Sequence, residues 1–234
     1  MEQLKRSFDL LGIPMDQKME GQFASYMKGI LLWNEKINLT AITQEHDFIQ
    51  KHFVDSALCV PFDEYKRAKK IIDVGTGAGF PGIPLAILSP EKEFVLADSL
   101  NKRLKVIDSL TREVGICNAI TVHGRAEELA KNKAYRQTFD LCVSRAVAHL
   151  AVLAEYCLPF VRTGGYILAY KGPDAEKEVK EAAKAVKILG GRVDRIQSVD
   201  LDGYAHNIAV IEKIRETPAK YPRKAGTPAK EPIR

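Results

Sequence analysis

Apolar residues recur with a helical period near the start of the chain. Between Asp16 and Lys36 they are spaced mainly three, four and seven residues apart, at Met19, Phe23, Met27, Ile30, Leu31 and Ile37. This period places them on one face of a helix. A weaker version of the pattern runs from Asp47 to Leu58, shortly before Pro61. We therefore predict a helical cap over residues 1–66.

From Lys70 the pattern changes to short apolar runs that alternate with helical segments. The runs are IIDV, EFVLAD, AITVHG, FDLCVSRA, GYILAYKG, RVDRIQSV and NIAVIEKI. The intervening segments predict helices at 81–88, 102–114, 126–131, 148–158 and 174–189. This alternation is typical of a parallel sheet built from βα units, here over residues 67–216. Asp202-Gly203 is a turn signal between the last two runs, so we expect those two strands to pair antiparallel.

A glycine-rich segment follows the first predicted strand and marks the candidate ligand site. It reads Asp73-Val74-Gly75-Thr76-Gly77-Ala78-Gly79-Phe80-Pro81-Gly82. Glycine lets the backbone pass close to a ligand. Gly77, Gly79 and Gly82 also match the G-x-G-x-x-G pattern of dinucleotide sites. Taken alone, the segment leaves both S-adenosylmethionine and NAD open as ligands.

Acidic residues at two strand ends favour S-adenosylmethionine. Asp73 ends the first strand, where a carboxylate can hold a ligand ammonium group directly or through water. Asp98 ends the second strand, where it can accept hydrogen bonds from ribose hydroxyls in either cofactor class. The third strand leads into Arg125-Ala126-Glu127, which can frame an adenine. S-adenosylmethionine carries an amino group and no phosphate, so we predict that it occupies one crevice at these strand ends.

Composition narrows the class of protein. The chain has 234 residues, 46% hydrophobic and 28% charged, as in ordinary globular domains. No run approaches the roughly 18 apolar residues of a membrane span, and the start MEQLKRSF lacks the apolar run of a signal peptide. We predict a cytoplasmic protein whose four cysteines, none in a CxxC pair, are reduced core residues. The histidines share no metal-site spacing with acids or cysteines, so we propose no metal.

The positive charge is concentrated at the end of the chain. Residues 217–234 carry five basic residues and one acidic residue, which accounts for +4 of the net +5. Four prolines and the lack of an apolar period predict an extended basic arm. Such a charge run is usually a solvated tail. Tyr221 lies beside Arg223 and Lys224, however, a mixture suited to stacking on bases and neutralising phosphates, so we favour RNA contact.

The motifs along the chain resemble those of the RsmG family, also called GidB. They are Trp33-Asn34-x-x-x-Asn38-Leu39-Thr40, DVGTGAGFPGIPLAI, LADSLNKRLKVI, GRAEE, SRAVA, YKGP and the ending YPRKAGTPAKEPI. The resemblance implies a Rossmann-like class I methyltransferase with a seven-stranded, mostly parallel sheet and an antiparallel last strand. It also implies S-adenosylmethionine-dependent methylation of N7 of a guanosine in the 530 loop of 16S rRNA. We expect a monomer whose partner is 16S rRNA or an assembling small ribosomal subunit.

The resemblance also assigns site residues. The family's cofactor positions fall on Gly75, Phe80, Ala126, Glu127 and Arg145, and its second motif falls on Asp98 and Ser99. The residue-based argument adds Asp73, Gly77 and Gly79 to this cofactor set.

Guanine N7 has a lone pair and no proton to lose, so its methylation needs positioning rather than a general base. Arg145, at the end of the fourth strand, is a candidate to hold guanine O6 or a phosphate, and a surface salt bridge is the alternative. His52 is the second catalytic candidate, although a lone histidine is usually a structural hydrogen-bonder, the interpretation that we favour.

Further residues are candidates for RNA contact. Trp33, Asn34 and Asn38 can form an aromatic and amide platform for a splayed base, or Trp33 belongs to the core. Many family members carry Glu-Arg where this chain has Tyr204-Ala205, so a basic contact is missing there. Lys171 and Arg223 are the candidate replacements. A non-catalytic RNA-binding module and an NAD-dependent oxidoreductase remain as alternative functions.

Overall fold

The computed structural model describes residues 1–201 and 204–233. The strands are Lys70–Val74 (β1), Glu93–Asp98 (β2), Ala119–His123 (β3), Phe139–Arg145 (β4), Val161–Lys171 (β5), Gly191–Leu201 (β6) and Tyr204–Lys213 (β7). They form one sheet in the order β3-β2-β1-β4-β5-β7-β6. Strands β1 to β5 pair parallel, whereas β7 runs antiparallel to both of its neighbours. The predicted fold class is confirmed.

The helices connect the strands and cover both faces of the sheet. They are Glu2–Leu10 (α1), Gln17–Asn34 (α2), Glu45–Phe48 (α3), Asp55–Ala57 (α4), Asp63–Arg67 (α5), Gly82–Leu88 (α6), Asn101–Val114 (α7), Ala126–Leu129 (α8), Leu150–Cys157 (α9), Ala175–Ile188 (α10) and Thr227–Lys230 (α11). A π-helical segment, Ile49–Val54, joins α3 to α4, and a 3₁₀ turn, Leu158–Phe160, follows α9. The five connecting helices predicted after β1 to β5 are all present.

The N-terminal cap is more broken than its sequence pattern suggests. Helix α2 follows the prediction, and the side chain of Asp16 caps it by accepting a hydrogen bond from the Met19 amide at 2.8 Å. The single helix expected at 47–58 is instead the α3, π-helical and α4 series. Helix α1 was not predicted. Only Leu4, Ser7 and Phe8 are buried along it, too short a series to reveal a period.

The cap shares its core with one face of the sheet. Along the strands, Ile71 and Val143 point towards the cap side, whereas Ile72 and Cys142 point towards α9 and α10. This is the period of two that a strand buried on both faces produces. The cap helices thus pack against the sheet rather than around a core of their own. The division of the chain at residues 66 and 216 stays a prediction.

The C-terminal segment is packed against the body of the protein, so the predicted extended arm is wrong. Thr217, Pro222 and Pro228 are buried, and α11 is a short helix within the segment. The guanidinium of Arg136 donates hydrogen bonds to the carbonyl oxygens of Thr217 and Tyr221, each at 2.9 Å. The sequence pattern missed this because the donor lies far away along the chain.

Two smaller predictions have different outcomes. The antiparallel pairing of β6 with β7 is confirmed, while the Asp202-Gly203 turn lies outside the described residues. Three cysteines are buried, but Cys117 is exposed in the loop after α7, which corrects its assignment to the core. Among the residues that the structure describes, no helix has both the length and the apolar character needed to cross a bilayer.

Candidate cofactor site

A cavity of about 300 Å³ lies at the carboxyl ends of β1 to β4. Its walls include Gly75 after β1, residues 98–100, residues 124–127 after β3, and the pair Ala146 and Val147 after β4. Ligands of open α/β sheets bind at this edge, outside the carboxyl ends of the strands. The structure therefore brings together five residues of the predicted cofactor set, namely Gly75, Asp98, Ser99, Ala126 and Glu127.

Gly75 is the point where the glycine loop meets the loop after β4. Its φ of +76° lies in the left-handed region, and a Cβ placed on it would collide with the side chain of Val147. Val147 is itself 38% exposed at the cavity wall, and the preceding Ala146 has a φ of +56°. Gly75 thus lets the side chain of Val147 pack directly on the glycine loop, and both residues border the cavity.

Asp98 accepts hydrogen bonds from two segments of the cavity wall and can still accept others. One oxygen of its carboxylate accepts the Gly77 amide at 2.9 Å, and the other accepts the Leu100 amide at 2.8 Å. A carboxylate has about four lone-pair positions, so each oxygen can accept one more hydrogen bond. Asp98 can therefore receive a hydroxyl donor from a ligand without releasing the loop.

Glu127 is the second acid of the cavity wall, and it is almost entirely buried, with 4% exposure. Its Oε1 accepts a hydrogen bond from the Gly226 amide at 2.8 Å. The lining residues that the sequence argument did not select include Arg103 on α7, Tyr156 on α9 and Val147. Arg103 lies in the first turn of α7, shortly after Asp98 at the end of β2, and this position could have suggested it. No feature of the sequence pointed to Tyr156.

Asp73 does not line the cavity, so the predicted direct contact with a ligand ammonium group is not possible in this structure, and the alternative contact through water stays a prediction. The residue is fully buried, and its Oδ2 accepts hydrogen bonds from the Thr76 hydroxyl at 2.7 Å and the Gly82 amide at 2.9 Å. Its Oδ1 is buried without a hydrogen-bond partner among the described residues. Burial raises the pKa of Asp73 to about 6. Asp73 instead fastens the glycine loop to the start of α6.

Three other predicted cofactor residues lie behind the cavity wall. The amide of Gly77 is bonded to Asp98, and Gly79 packs against the hydroxyl of Tyr26. Phe80 is 5% exposed and stacks on His52, with ring centroids 4.4 Å apart. These residues shape and support the loop rather than line the cavity.

Arg145 belongs to a buried cluster beside the cavity. Its Nη1 donates to the carboxylate of Asp55 and to the carbonyl oxygen of Lys51, and its side chain is 15% exposed. The other oxygen of Asp55 pairs with Nδ1 of His206 at 2.8 Å. Of the two interpretations offered for Arg145, the ion pair is the one observed, and it is a buried pair rather than a surface one. Its guanidinium is already engaged on the cap side.

His52 is held as a neutral structural group. Its Nδ1 faces Nη2 of Arg145 at 3.1 Å, and its Nε2 faces the Thr40 hydroxyl at 2.8 Å. Because arginine only donates, Nδ1 must accept and Nε2 carries the proton. Burial, with the Arg145 charge, lowers the pKa of His52 to about 3. The catalytic assignment of His52 is therefore replaced by the structural one.

Comparison with known proteins identifies the family. A family model described as GidB, rRNA small subunit methyltransferase G, matches residues 19–206. The chain belongs to this family. A relative named ribosomal RNA small subunit methyltransferase G, from Clostridium tetani, is 49% identical over 96% of this chain and 95% of its own length. The protein of the same name from Alkaliphilus oremlandii is 49% identical over 99% of this chain and 98% of its own. The GidB assignment makes the protein an S-adenosylmethionine-dependent methyltransferase.

Solved structures agree on the fold. M. jannaschii TYW2 in complex with AdoMet superposes with a TM-score of 0.57 at 14% identity, over 74% of this chain and 80% of its own. The O-methyltransferase TomG from Streptomyces achromogenes, in complex with SAM, gives 0.56 at 15% identity, over 89% and 94%. Likenesses this distant show the sheet architecture that the GidB chain shares with other methyltransferases.

The residues of the cavity fit S-adenosylmethionine better than a dinucleotide. In G-x-G-x-x-G sites the helix N-terminus receives a pyrophosphate. Here the amide of Gly82, at the start of α6, is already bonded to the carboxylate of Asp73, and a Cβ on Gly82 would collide with Leu96. The third glycine of the pattern therefore serves close packing of helix on sheet. The amide at the start of α6 is therefore not free to bind the pyrophosphate of NAD, which argues against NAD as the cofactor.

The candidates for base contact in the cap have structural roles, with one exception. The side-chain oxygen of Asn34 accepts the amides of Leu39 and Thr40, at 2.8 and 3.0 Å. Trp33 is half-buried and packs against the main core, which supports the core interpretation. Asn38 is exposed, and its contact with RNA stays a prediction.

Lys171 and Arg223 are committed to ion pairs within the protein. Lys171 is 7% exposed, pairs with Glu178 at 2.8 Å and donates to the Ala148 carbonyl at 2.7 Å. Arg223 pairs with the buried Glu155 at 2.7 Å. Both assignments to RNA binding are corrected, because each cation offsets a carboxylate within the fold. The side chains of Tyr204 and Ala205 lie outside the described part, as does any contact they make.

No group of three or more His, Cys, Asp or Glu residues comes together as a metal site in the part of the chain that is described.

Proposed function

We propose that the protein transfers a methyl group from S-adenosylmethionine to N7 of a guanosine in the 530 loop of bacterial 16S rRNA. The observation that carries this proposal is the cavity at the strand ends, where Gly75, Asp98 and Glu127 converge in a chain of the GidB family. The relatives named above are small subunit rRNA methyltransferases, which supports a small-subunit RNA as the substrate.

The residues of the cavity divide the binding task. S-adenosylmethionine supplies an electrophilic methyl group on its sulfonium sulfur. Asp98 has the free lone pairs to accept ribose hydroxyls, and Glu127 with Ala126 borders the adenine. Gly75 gives the amino-acid part close access to the backbone, next to Val147. Val147, exposed at the wall, offers the target base an apolar surface.

The chain needs to supply position rather than proton transfer. The N7 lone pair forms the new C–N bond while the C–S bond breaks and its electron pair stays on sulfur, so no proton leaves guanine. Aligning the two reactants supplies most of the rate advantage for such a step. The neutral, fully engaged His52 agrees with a site that has no general base.

Among the described residues of the C-terminal segment, the exposed lysines are available to meet RNA. Lys220, Lys224 and Lys230 are exposed, whereas Arg223 is paired. We infer that these lysines contact phosphates and that the protein acts as a cytoplasmic monomer on 16S rRNA or an assembling small subunit. Phosphate contacts release counterions, so affinity should fall steeply with salt.

The decisive experiment follows labelled methyl groups from S-adenosylmethionine into small-subunit RNA that lacks the modification. We expect incorporation at one guanosine of the 530 loop, and none when that guanosine is replaced by its 7-deaza analogue. Naked RNA and assembled subunits should be compared in parallel. Incorporation at another position would overturn the assigned target. Binding of S-adenosylhomocysteine without any transfer would instead identify a non-catalytic RNA-binding module.

A further inference from the structure

A buried ion pair anchors the C-terminal segment next to the cofactor cavity. Glu155, on α9, is completely buried, and its carboxylate receives four hydrogen bonds from Arg223. The backbone amide and Nε of Arg223 donate to Oε1 at 2.8 and 3.0 Å, while Nε and Nη2 donate to Oε2 at 3.1 and 2.7 Å. Because both the backbone amide and the guanidinium of Arg223 donate to this buried carboxylate, Arg223 is fixed in a single position.

The same segment then reaches the cavity wall. Three residues after Arg223, the amide of Gly226 donates to Oε1 of Glu127 at 2.8 Å. Gly226 has a φ of +84°, in the left-handed region that favours glycine, and nothing lies within 4 Å of where a Cβ would stand. Glu127 lines the cavity and is 4% exposed. One of its oxygens is thus held by the tail.

The anchoring continues on both sides of this contact. Before it, Arg136 binds the carbonyls of Thr217 and Tyr221. After it, Pro228 is buried and Ile233 packs against the core beneath α9. Tyr156, which also lines the cavity, precedes Cys157 at the end of the same helix that carries Glu155. The tail and the cavity therefore share α9 as a common support.

We propose that residues 217–233 are a working part of the cofactor site and set cofactor affinity by holding Glu127. This inference rests on the proposed function, because it takes the cavity as the site of S-adenosylmethionine. A glutamate side chain whose Oε1 is already fixed loses less rotamer freedom when Oε2 meets the ligand. Gly226 and Arg223 act as positioning residues, and neither touches the cofactor.

The test measures binding of S-adenosylhomocysteine by calorimetry to the full chain and to a chain ending at Lys224. The shortened chain keeps Arg223 but lacks Gly226. We expect affinity to fall about tenfold, the range of one hydrogen bond to a charged group. In transfer assays the KM for S-adenosylmethionine should rise similarly, while kcat at saturating cofactor stays near that of the full chain.

A double-mutant cycle separates this role from a general loss of structure. In a Glu127→Ala background the same shortening should change affinity less than twofold, because the residue it acts through is gone. The matched control is the triple variant Lys220→Gln, Lys224→Gln and Lys230→Gln. It should bind S-adenosylhomocysteine like the parent chain and bind RNA more weakly, with a salt dependence flatter by roughly 0.7 to 0.9 per lost contact.

The outcomes distinguish the two proposals. Equal affinity of the full and shortened chains overturns the role of the tail and leaves the proposed function standing. An equal loss with and without Glu127 overturns it too, because the tail would then act elsewhere. Failure of the full chain to bind S-adenosylhomocysteine overturns the proposed function, and this inference with it.

Discussion

Two neighbouring parts of the sheet's carboxyl edge use their polar groups in opposite ways. In the cavity, Asp98 keeps lone pairs free and Ser99 is exposed. In the cluster at the end of β4, Arg145 is bonded to both Asp55 and His52 on the side of the cap. A residue at a strand end is therefore a ligand candidate only when its polar atoms are not already paired. The cavity has polar groups available for a ligand, whereas the Arg145 cluster joins the cap to the sheet.

Removing Arg145 should cause the largest effect. Arg145→Ala leaves the carboxylate of Asp55 buried with only His206, and breaking a buried pair in this way costs about 3–5 kcal/mol of stability. Unfolding in denaturant measures it. The matched control is Arg103→Ala in the cavity wall, which should change stability by no more than about 0.5 kcal/mol and weaken S-adenosylhomocysteine binding. If Arg145→Ala folds normally and loses only transfer, Arg145 belongs to the binding part instead.

Filling the space above Gly75 should have the next largest effect, this time on binding. Gly75→Ala drives a Cβ into Val147 in a left-handed conformation, so we expect at least a tenfold loss of S-adenosylhomocysteine affinity, or about 1.4 kcal/mol. Gly77→Ala is the control, because its nearest neighbour would be Nη1 of Arg103 at 4.0 Å and only the conformational strain remains. Adding Val147→Ala should recover part of the Gly75→Ala loss. No recovery would mean that backbone strain alone explains it.

The smallest effect concerns the pH dependence of the cluster. The pKa of His52, about 3 when folded, lies below its ordinary value of 6.5, so the unfolded chain binds a proton that the folded one excludes. Its contribution to stability is complete above pH 6.5 and is lost progressively as the pH falls towards 3. His52→Gln should therefore lose less stability than the parent between pH 7.5 and 5, by on the order of 1 kcal/mol.

Denaturant unfolding at the two pH values gives the comparison. Asp73, whose pKa is raised to about 6, contributes in the opposite direction, but it is present in both proteins and cancels. Parallel pH profiles would show that His52 is not held neutral by the cluster.

The sequence predicted which strand ends meet at the cavity. It predicted less well which side chains at those strand ends face the cavity. Asp73 and Asp98 are both acids at strand ends, yet only Asp98 lines the cavity. Asp73 lies two residues from Ile71, and the period of two points both towards the cap. Asp98 lies two residues from Leu96, which also faces the cap, so the alternation does not separate the two acids. The difference comes from the loops that follow the strands: Asp73 is enclosed by the glycine loop and the start of α6, whereas Asp98 borders the cavity.

The ion pairs could not be predicted in this way. Arg145 meets Asp55, and Arg223 meets Glu155, each across a long stretch of chain. A positive residue in a motif or a basic tail gives no local sign of a distant carboxylate that will neutralise it. Both residues lie in segments that resemble the GidB family, but the partner that each residue has depends on the tertiary fold.

The docked tail also has a consequence for how the protein is made. Residues 217–233 follow all seven strands along the chain, and a growing chain folds from its N-terminal end as it is synthesised. The hydrogen bond from Gly226 to Glu127 can therefore form only after the whole sheet has been made. A chain interrupted between β7 and Gly226 carries the sheet but lacks the contact that holds one wall of its cavity. The order of synthesis thus makes this wall of the cavity one of the later parts of the site to be completed, although the strands that carry the site are made first.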